Sequence, residues 1–332
     1  MRRYLTVIGL LFAVLLVCAT NVGAGEMKRI RWTAQEVGTG LLMYTTSLTE
    51  IAKRYLPKDV ILDVLPYGAV VASVTLVEDG RAEIGWANVT ALWAQQGIIL
   101  YNKQHKNLTA IASSFEEANL QIFANKDFVT KTGLKTLDDI REKKLPVRIV
   151  TKTKGSLGQA AGPLQLEAHG IKYDDIKAWG GSITETAVGD VVARMKDGRA
   201  DMWFDNLAPK HPAATEYFQT ADGVVVEPTA DALNYLKKYG FSTVVSKAGT
   251  WKGQTADVKQ PQGPTVLIAR KDVPEEIVYI ITKAICDNAE EVRNAHAQMK
   301  VFDEKIAWRP EKVLIDLHPG AKKYYVEKGW MK

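Results

Sequence analysis

The sequence predicts a two-lobed α/β protein in which each lobe is a mostly parallel sheet flanked by helices. Short apolar runs alternate with amphipathic helical patterns in two series along the chain, and this alternation is typical of parallel sheets covered by helices. In addition, residues 79–88 and 197–206 align without a gap around Asp-Gly-Arg-Ala, and each stretch ends at an asparagine. Two copies of one helix–turn–strand unit indicate two similar lobes.

The first 24 residues have the composition of a secretory signal peptide. Arg2 and Arg3 precede an apolar run from Tyr4 to Cys18, and residues 22–24 fit a cleavage site after Ala24. The apolar run is short for a membrane span, although an N-terminal anchor is the alternative. We therefore predict export from the cytoplasm and removal of residues 1–24.

The first lobe is predicted to open with a strand, a glycine turn at residues 36–40 and a helix. Leu41, Tyr44 and Leu48 recur at helical spacing after the turn. The turn lacks the third glycine of the dinucleotide fingerprint, which argues against a nucleotide site. The predicted strands lie at residues 30–33, 60–65, 82–86, 108–113 and 120–124.

The second lobe repeats this order, with a polar glycine turn at residues 152–158 after its first strand. Its predicted strands lie at residues 147–151 and 176–179 and in the short apolar run that stops at Asn206, and its main helices lie at 159–169 and 184–196. A strand at 264–270 and a long helix to about residue 297 belong to the tail. We assign residues 25–125 and 226–332 to the first lobe and residues 126–225 to the second.

No catalytic or metal-binding pattern is present in the sequence. The five histidines are not paired at metal-ligand spacing, and there is no CxxC, HExxH, Gly-x-Ser-x-Gly or P-loop motif. We therefore predict no catalytic residue, no metal and no cofactor. The formal net charge of +5 includes no long basic run, which argues against a nucleic-acid partner. Cys286 is expected to be buried and structural.

Polar residues at the predicted strand ends form the candidate site, because ligands of open parallel sheets bind beyond the carboxyl ends of the strands. Asn88 and Asn206 are expected to face each other across a cleft, although both could be local caps. The tryptophans near the same edge could stack on a ligand or pack in the core. The predicted ligand-binding residues are Glu36, Gly38, Thr39, Gly40, Tyr44, Asn88, Thr90, Gly155, Ser156, Trp203, Asp205 and Asn206.

Several segments of the chain are similar to one known family. The most specific is residues 317–329, Leu-His-Pro-Gly-Ala-Lys-Lys-Tyr-Tyr-Val-Glu-Lys-Gly, and residues 248–254, residues 264–275 and the Gly155-Ser156 pair are also similar. With these motifs the chain resembles the TAXI family, the solute-binding receptors of tripartite ATP-independent periplasmic (TRAP) transporters. The likeness covers essentially the whole chain after residue 24.

The resemblance implies a type II periplasmic-binding-protein fold, in which two lobes joined by hinge strands close on a ligand. It implies a periplasmic receptor that delivers a small carboxylate or an amino acid, such as 2-oxoglutarate or glutamate, to TRAP membrane subunits. We expect a monomer and no enzymatic activity. A periplasmic sensing module for a signalling protein is the alternative, followed by a hydrolase or transferase on the same scaffold.

The chain departs from the family pattern where ligand is held. Residues 38–41 read Gly-Thr-Gly-Leu where the family has Gly-Gly-x-Tyr, and residues 68–72 lack the polar groups of Gly-Ser-x-x-Asn. Glu36 and Asp205 place acids at the edge of the cleft instead, and two carboxylates would repel a bare dicarboxylate. An amine-bearing carboxylate is therefore the favoured ligand, with Asp205 as the residue expected to select it.

Overall fold

The computed structural model describes residues 27–35, 40–68 and 70–332. The predicted signal peptide and the predicted site residues Glu36, Gly38 and Thr39 lie outside these residues. The strands are β1 (Arg29–Thr33), β2 (Ile61–Leu65), β3 (Ile84–Ala87), β4 (Leu108–Asn125), β5 (Arg148–Lys152), β6 (Ser182–Thr186), β7 (Met202–Leu207), β8 (Gly223–Val225), β9 (Ser242–Ser246) and β10 (Val258–Arg270).

The helices cover both faces of the sheet formed by these strands. They are α1 (Gly40–Lys53), α2 (Val70–Glu78), α3 (Val89–Gln96), α4 (Lys126–Thr132), α5 (Asp138–Lys143), α6 (Leu157–Glu167), α7 (Tyr173–Ala178), α8 (Val188–Lys196), α9 (Pro212–Thr220), α10 (Ala230–Lys237), α11 (Glu275–Asp287), α12 (Ala289–Ala295), α13 (Pro310–Val313) and α14 (Pro319–Glu327), with a 3-10 helix at Ala297–Val301. None of the helices in the described ranges is both long and apolar enough to cross a membrane.

Two long strands, β4 and β10, connect two groups of parallel strands. The sheet order is β2-β1-β3-β10-β4-β7-β5-β6, with β8 paired to β4 and β9 paired to β10. We call β2-β1-β3 with the adjoining parts of β10 and β4 the first lobe, and β7-β5-β6 with the remainder of β4 the second lobe. The strands predicted at 108–113 and 120–124 are one continuous strand that passes between the lobes.

The secondary structure predicted from the sequence was wrong for two segments. Residues 176–179 were predicted as a strand, but residues 173–178 form α7, whose first turn contains two acids that favour a helix N-terminus. The strand is β6, six residues later, and α8 consequently begins at Val188. The long helix predicted to reach residue 297 is interrupted at Asn288, whose side-chain amide donates to the Ala284 carbonyl oxygen at 2.7 Å and competes with the helical backbone.

The repeated Asp-Gly-Arg-Ala unit has the same structural role in both lobes. The glycine of each unit has a positive φ, 72° and 66°, as a helix-terminating residue requires. The acid that follows is Glu83 in the first copy and accepts hydrogen bonds from Arg31 N, Nε and Nη2 at 2.8, 3.0 and 2.6 Å. In the second copy Asp201 accepts the same three bonds from Arg148 at the same distances. The repeat therefore fixes the amino ends of matched strands, away from the predicted site.

The final helix, α14, packs closely on α11 through the His-Pro-Gly segment that precedes and begins it. His318 Nδ1 accepts a hydrogen bond from Gly320 N at 3.2 Å and caps the helix. A Cβ atom on Gly320 would clash with the Glu275 carbonyl oxygen and lie 2.7 Å from Tyr279 N. The most specific sequence motif of the chain thus serves helix packing.

Cys286 lies in the same core, as predicted. Its thiol is buried, with Sγ 3.8 Å from Tyr325 Oη. Burial raises the pKa of the Cys286 thiol to about 12, which keeps it protonated and unreactive at neutral pH.

Trp251 lies beyond the predicted second-lobe boundary at residue 225. It nevertheless packs on Phe123 and Phe218, with ring centroids 5.5 and 5.6 Å away, in the core of the second lobe. The predicted lobe boundaries at residues 125 and 225 stay a prediction.

Candidate functional site

Strand ends from both lobes converge on one stretch of β4. Val266 of β10 pairs with Ala87 at the end of β3 and with Ser113 of β4. Leu207 at the end of β7 pairs with Asn119 of β4. Because β3 runs parallel and β7 antiparallel to β4, their carboxyl ends approach residues 114–118 from opposite directions. Ligands bind beyond such ends, so this stretch is the floor of the candidate site.

Glu116 stands on this floor and contacts the first lobe. Its Oε2 accepts a hydrogen bond from Tyr44 Oη and its Oε1 accepts one from Thr265 Oγ1, both at 3.0 Å. Burial raises the pKa of Glu116, while these two donors and the charges of Lys152 and His296 act to lower it. Tyr44, a predicted site residue, is therefore part of the site, where burial and Glu116 raise its pKa.

Lys152 and Asp205 form an ion pair on the second-lobe side. Lys152 Nζ lies 3.1 Å from Asp205 Oδ1, and the Asp205 side chain has no exposed surface. Asp205 also accepts hydrogen bonds from Trp203 Nε1 at 3.1 Å and from Asn206 N at 2.7 Å. Burial raises the pKa of Asp205, and its three partners oppose this shift. Asp205 thus holds Lys152 in place, and Lys152 is the group that retains exposed surface, 23% of its side chain.

The glycine turn after β5 brings Gly155 and Ser156 to the same side. Ser156 Oγ accepts a hydrogen bond from Gln159 N at 3.2 Å and caps α6. The first turn of α6 packs directly on the end of β7. The contact is so close that a Cβ atom on Gly158 would meet the Asp205 carboxylate and lie 2.9 Å from Asn206 N. The predicted residues Gly155, Ser156, Asp205 and Asn206 therefore belong to one cluster.

The two matched asparagines have different local roles. Asn88 Oδ1 accepts a hydrogen bond from Thr90 N at 3.0 Å and caps α3. Asn206 Oδ1 is buried and has no hydrogen-bond partner within the described part of the chain. Only Asn206 therefore keeps an unused acceptor, and the expectation that the two side chains face each other stays a prediction. Gly40, the remaining predicted residue, is the first residue of α1.

The tryptophans pack in the cores of the lobes. Trp203 has no exposed surface, and its ring lies 5.3 Å from Phe123 and 6.2 Å from Tyr217 between centroids. Trp86 is equally buried, and its Nε1 donates to Thr45 Oγ1 at 2.7 Å. The indole Nε1 of Trp203 donates to Asp205 at 3.1 Å, and the prediction that Trp203 contacts ligand stays a prediction.

Sequence reasoning missed Glu116 and His211 as candidate site residues. The strand-end rule did select the turn that begins at Lys152, but a solvated turn was an equal alternative, and Lys152 was not among the predicted ligand-binding residues. Glu116 fell in a presumed loop between two predicted strands. The available signal was a pair of adjacent acids, Glu116 and Glu117, in a short segment between two apolar strand patterns.

A cavity of about 350 Å³ lies against the same stretch of β4. Ser113, Ser114, Glu116 and Glu117 line it, together with residues of β9, β10 and α13. This volume is at the lower end of the range for small-molecule sites. A larger groove of about 700 Å³ includes Arg148 and Asp201 at the amino ends of the second-lobe strands, so it is remote from the strand ends that carry the site.

No group of three or more His, Cys, Asp or Glu side chains in residues 27–35, 40–68 and 70–332 could hold a metal ion. The polar groups of the site are hydrogen-bond donors and acceptors, together with the partly exposed cation Lys152 and Lys312 in the lining of the cavity. Such an arrangement suits binding of a small charged organic molecule.

His211, which follows β7, is expected to make the protein less stable in mild acid. Burial and the charge of Lys152 lower the pKa of His211 from 6.5 to about 4. Because the unfolded chain binds the proton more tightly, this contribution to stability is complete above pH 6.5 and is lost as the pH falls toward 4. We expect the melting temperature of a His211→Gln variant to fall less than that of the wild type between pH 7.5 and 4.5. Equal falls in differential scanning fluorimetry would contradict this.

The chain is similar to one protein family in sequence and to several solved structures in fold. The model of the NMT1-like family matches residues 33–329. PhnD1 from Prochlorococcus marinus, solved in complex with methylphosphonate, is 13% identical and has a TM-score of 0.53, covering 82% of this chain and 90% of that chain. XAC2383 from Xanthomonas citri bound to ATP is 11% identical, with a TM-score of 0.53 and coverage of 90% and 95%.

A TctC solute binding protein from Polaromonas is 14% identical, with a TM-score of 0.50 and coverage of 82% and 88%. At such identities the likeness shows the fold alone. The predicted two-lobed type II periplasmic-binding-protein fold is confirmed over most of the chain.

Proposed function

The chain belongs to the NMT1-like family, and from this premise we propose that it is a periplasmic solute receptor of the TAXI type. In this role it traps a small carboxylate or amino acid between its lobes and delivers it to TRAP membrane subunits. The observation that carries the proposal is the convergence of β3 and β7 on residues 114–118, beside a cavity of ligand size. The TAXI-like motifs at residues 248–254 and 317–329 support the transporter type.

Closure of the lobes is the signal that such a receptor would give. A ligand held between Lys152 of the second lobe and the Tyr44–Glu116 pair stabilises the closed arrangement over the open one. The membrane subunits then have to recognise only the closed shape. A ligand that contacts one lobe alone would not shift the equilibrium between the open and closed arrangements, because it binds both equally well.

A ladder of side-chain amides connects β10, β4 and β7, where the two groups of parallel strands meet. Gln262 donates to Asn119, Asn119 to Gln260 and Gln260 to Gln121, at 3.0, 3.2 and 2.8 Å. Gln121 then donates to the Leu207 carbonyl oxygen at 3.4 Å. All four amides are buried, and a fully connected buried network favours one arrangement of the strands it joins.

Native mass spectrometry of freshly purified protein tests the proposal. We expect a retained small molecule that is released by unfolding, and a smaller radius of gyration in solution scattering when the refolded protein binds it again. Reconstitution with TRAP membrane subunits should then give uptake that depends on the receptor. A loaded protein that does not close, or uptake that is unchanged when the receptor is omitted, would overturn the proposed function.

A further inference from the structure

The cavity of about 350 Å³ beside residues 113–117 of β4, called the hinge cavity from here on, has an excess of negative charge. Its charged lining residues are Glu116, Glu117, Glu311 and Lys312, so three acids stand against one base. The chain as a whole has a formal net charge of +5, which makes this local excess of acids a property of the cavity rather than of the composition. Such a cavity concentrates cationic groups.

Glu116 has acceptor capacity left for a ligand. Each of its carboxylate oxygens accepts one hydrogen bond, from Tyr44 and from Thr265, whereas a carboxylate offers about four acceptor positions. Ser114 Oγ, which also lines the cavity, is buried without a hydrogen-bond partner in the part of the chain that the structure describes. An ammonium group has three donors and no acceptor, and it matches this set of acceptors.

Lys152, on the second-lobe side, is a cation that does not line the cavity itself. Lys152 is held by Asp205 at 3.1 Å and retains exposed surface, and its charge acts on the pKa of Glu116. Asp205 is paired with Lys152, whereas the contacts of Glu116 are with the neutral donors Tyr44 and Thr265. Lys152 keeps ammonium donors that it does not give to Asp205. A ligand whose ammonium meets Glu116 in the cavity and whose carboxylate extends toward Lys152 uses both groups.

We propose that Glu116 is the specificity-determining residue of the receptor and that it accepts the protonated amine of an amine-bearing carboxylate seated in the hinge cavity. This inference rests on the proposed receptor function and moves the selecting role from Asp205 to Glu116. Asp205 becomes a positioning residue for Lys152. The ligand class is then an amino acid or a related zwitterion, and the matching 2-oxo acid is disfavoured because it brings no donor to the remaining acceptor positions of Glu116 and no positive charge to its carboxylate.

Calorimetric titration of refolded, ligand-free protein against L-amino acids, each paired with its 2-oxo acid, tests the inference. We expect at least one amino acid to bind the wild type about 10-fold or more tightly than its 2-oxo partner. Glu116→Gln should weaken that amino acid about 30-fold or more and change the affinity for the 2-oxo acid far less. Glu276→Gln, which alters an exposed acid at the start of α11, should leave both affinities unchanged.

Glu116→Asp is the second variant, which separates loss of the amine contact from simple unfolding of the protein. It keeps the charge on a shorter side chain, and we expect it to preserve the preference for the amine while lowering the affinity. A wild type that prefers the 2-oxo acids, or a folded Glu116→Gln protein that keeps the amine preference, would overturn the inference and leave the receptor function intact. Absence of any retained molecule and of closure would overturn both.

Discussion

Replacement of Gly320 by alanine is expected to lower the free energy of unfolding by about 3 kcal/mol, a typical cost of overpacking a tight contact. The added Cβ would clash with the Glu275 carbonyl oxygen and lie 2.7 Å from Tyr279 N. Both of these atoms belong to the backbone of α11 and its first turns, so neither can rotate away. α14 would have to separate from α11, which exposes the buried rings of Tyr324 and Tyr325.

Urea unfolding followed by tryptophan fluorescence measures this effect. Gly189→Ala is the matched control, because Gly189 is helical and its Cβ would meet nothing within 4 Å. There alanine should raise stability by up to about 1 kcal/mol through its better helix propensity. If both variants had the same unfolding midpoint, the close contact between α14 and α11 would not be a source of stability.

Replacement of Lys152 by methionine is expected to cost about 3 kcal/mol of stability and to abolish tight ligand binding. The substitution leaves the Asp205 carboxylate without exposed surface and without its cation, and breaking a buried ion pair by removing one partner typically costs about 3–5 kcal/mol. Because Lys152 retains some exposed surface, the lower end of this range applies. Lys154→Met, on the exposed part of the same turn, should change stability by less than about 0.5 kcal/mol.

The double variant Lys152→Met with Asp205→Asn separates the two effects. Removal of the buried charge should recover much of the stability, since an uncharged amide costs less to bury than an unpaired carboxylate. Ligand binding should stay lost, because the cation that meets the ligand is still absent. A double variant as unstable as Lys152→Met alone would show that the cost does not come from the buried charge.

Local patterns were enough to predict the lobes and most of their strands. The Asp-Gly-Arg-Ala repeat and the alternation of strands and helices depend on neighbours in sequence, and the structure has both. The continuity of β4 could not be predicted in this way. Its middle, residues 114–119, reads Ser-Phe-Glu-Glu-Ala-Asn, which is typical of a loop, and it is extended because β10 pairs with part of it. Tertiary pairing here overrides local propensity.

The same limit applies to the site. The strand-end rule selected Asp205 and Asn206 as candidates, but it could not tell which polar groups the protein itself satisfies. Asp205 is fully engaged by Trp203, Asn206 and Lys152, and a sequence pattern does not record this. Glu116 becomes a site residue through partners 72 and 149 positions away. Contacts over such separations are set by the fold.

The position of β10 near the end of the chain has a consequence for the order in which the molecule assembles. β5, β6 and β7 pair with one another within residues 148–207, so this part of the sheet can form as soon as that stretch is free. β3 can pair with β1 early, but its link to the first half of β4 must wait for β10, which lies between them and has a hydrogen bond to β4 that joins residues 160 positions apart. Closing such long loops is slow. Because the chain is synthesised from its amino end, we expect the first lobe to start folding before the second lobe and to finish after it.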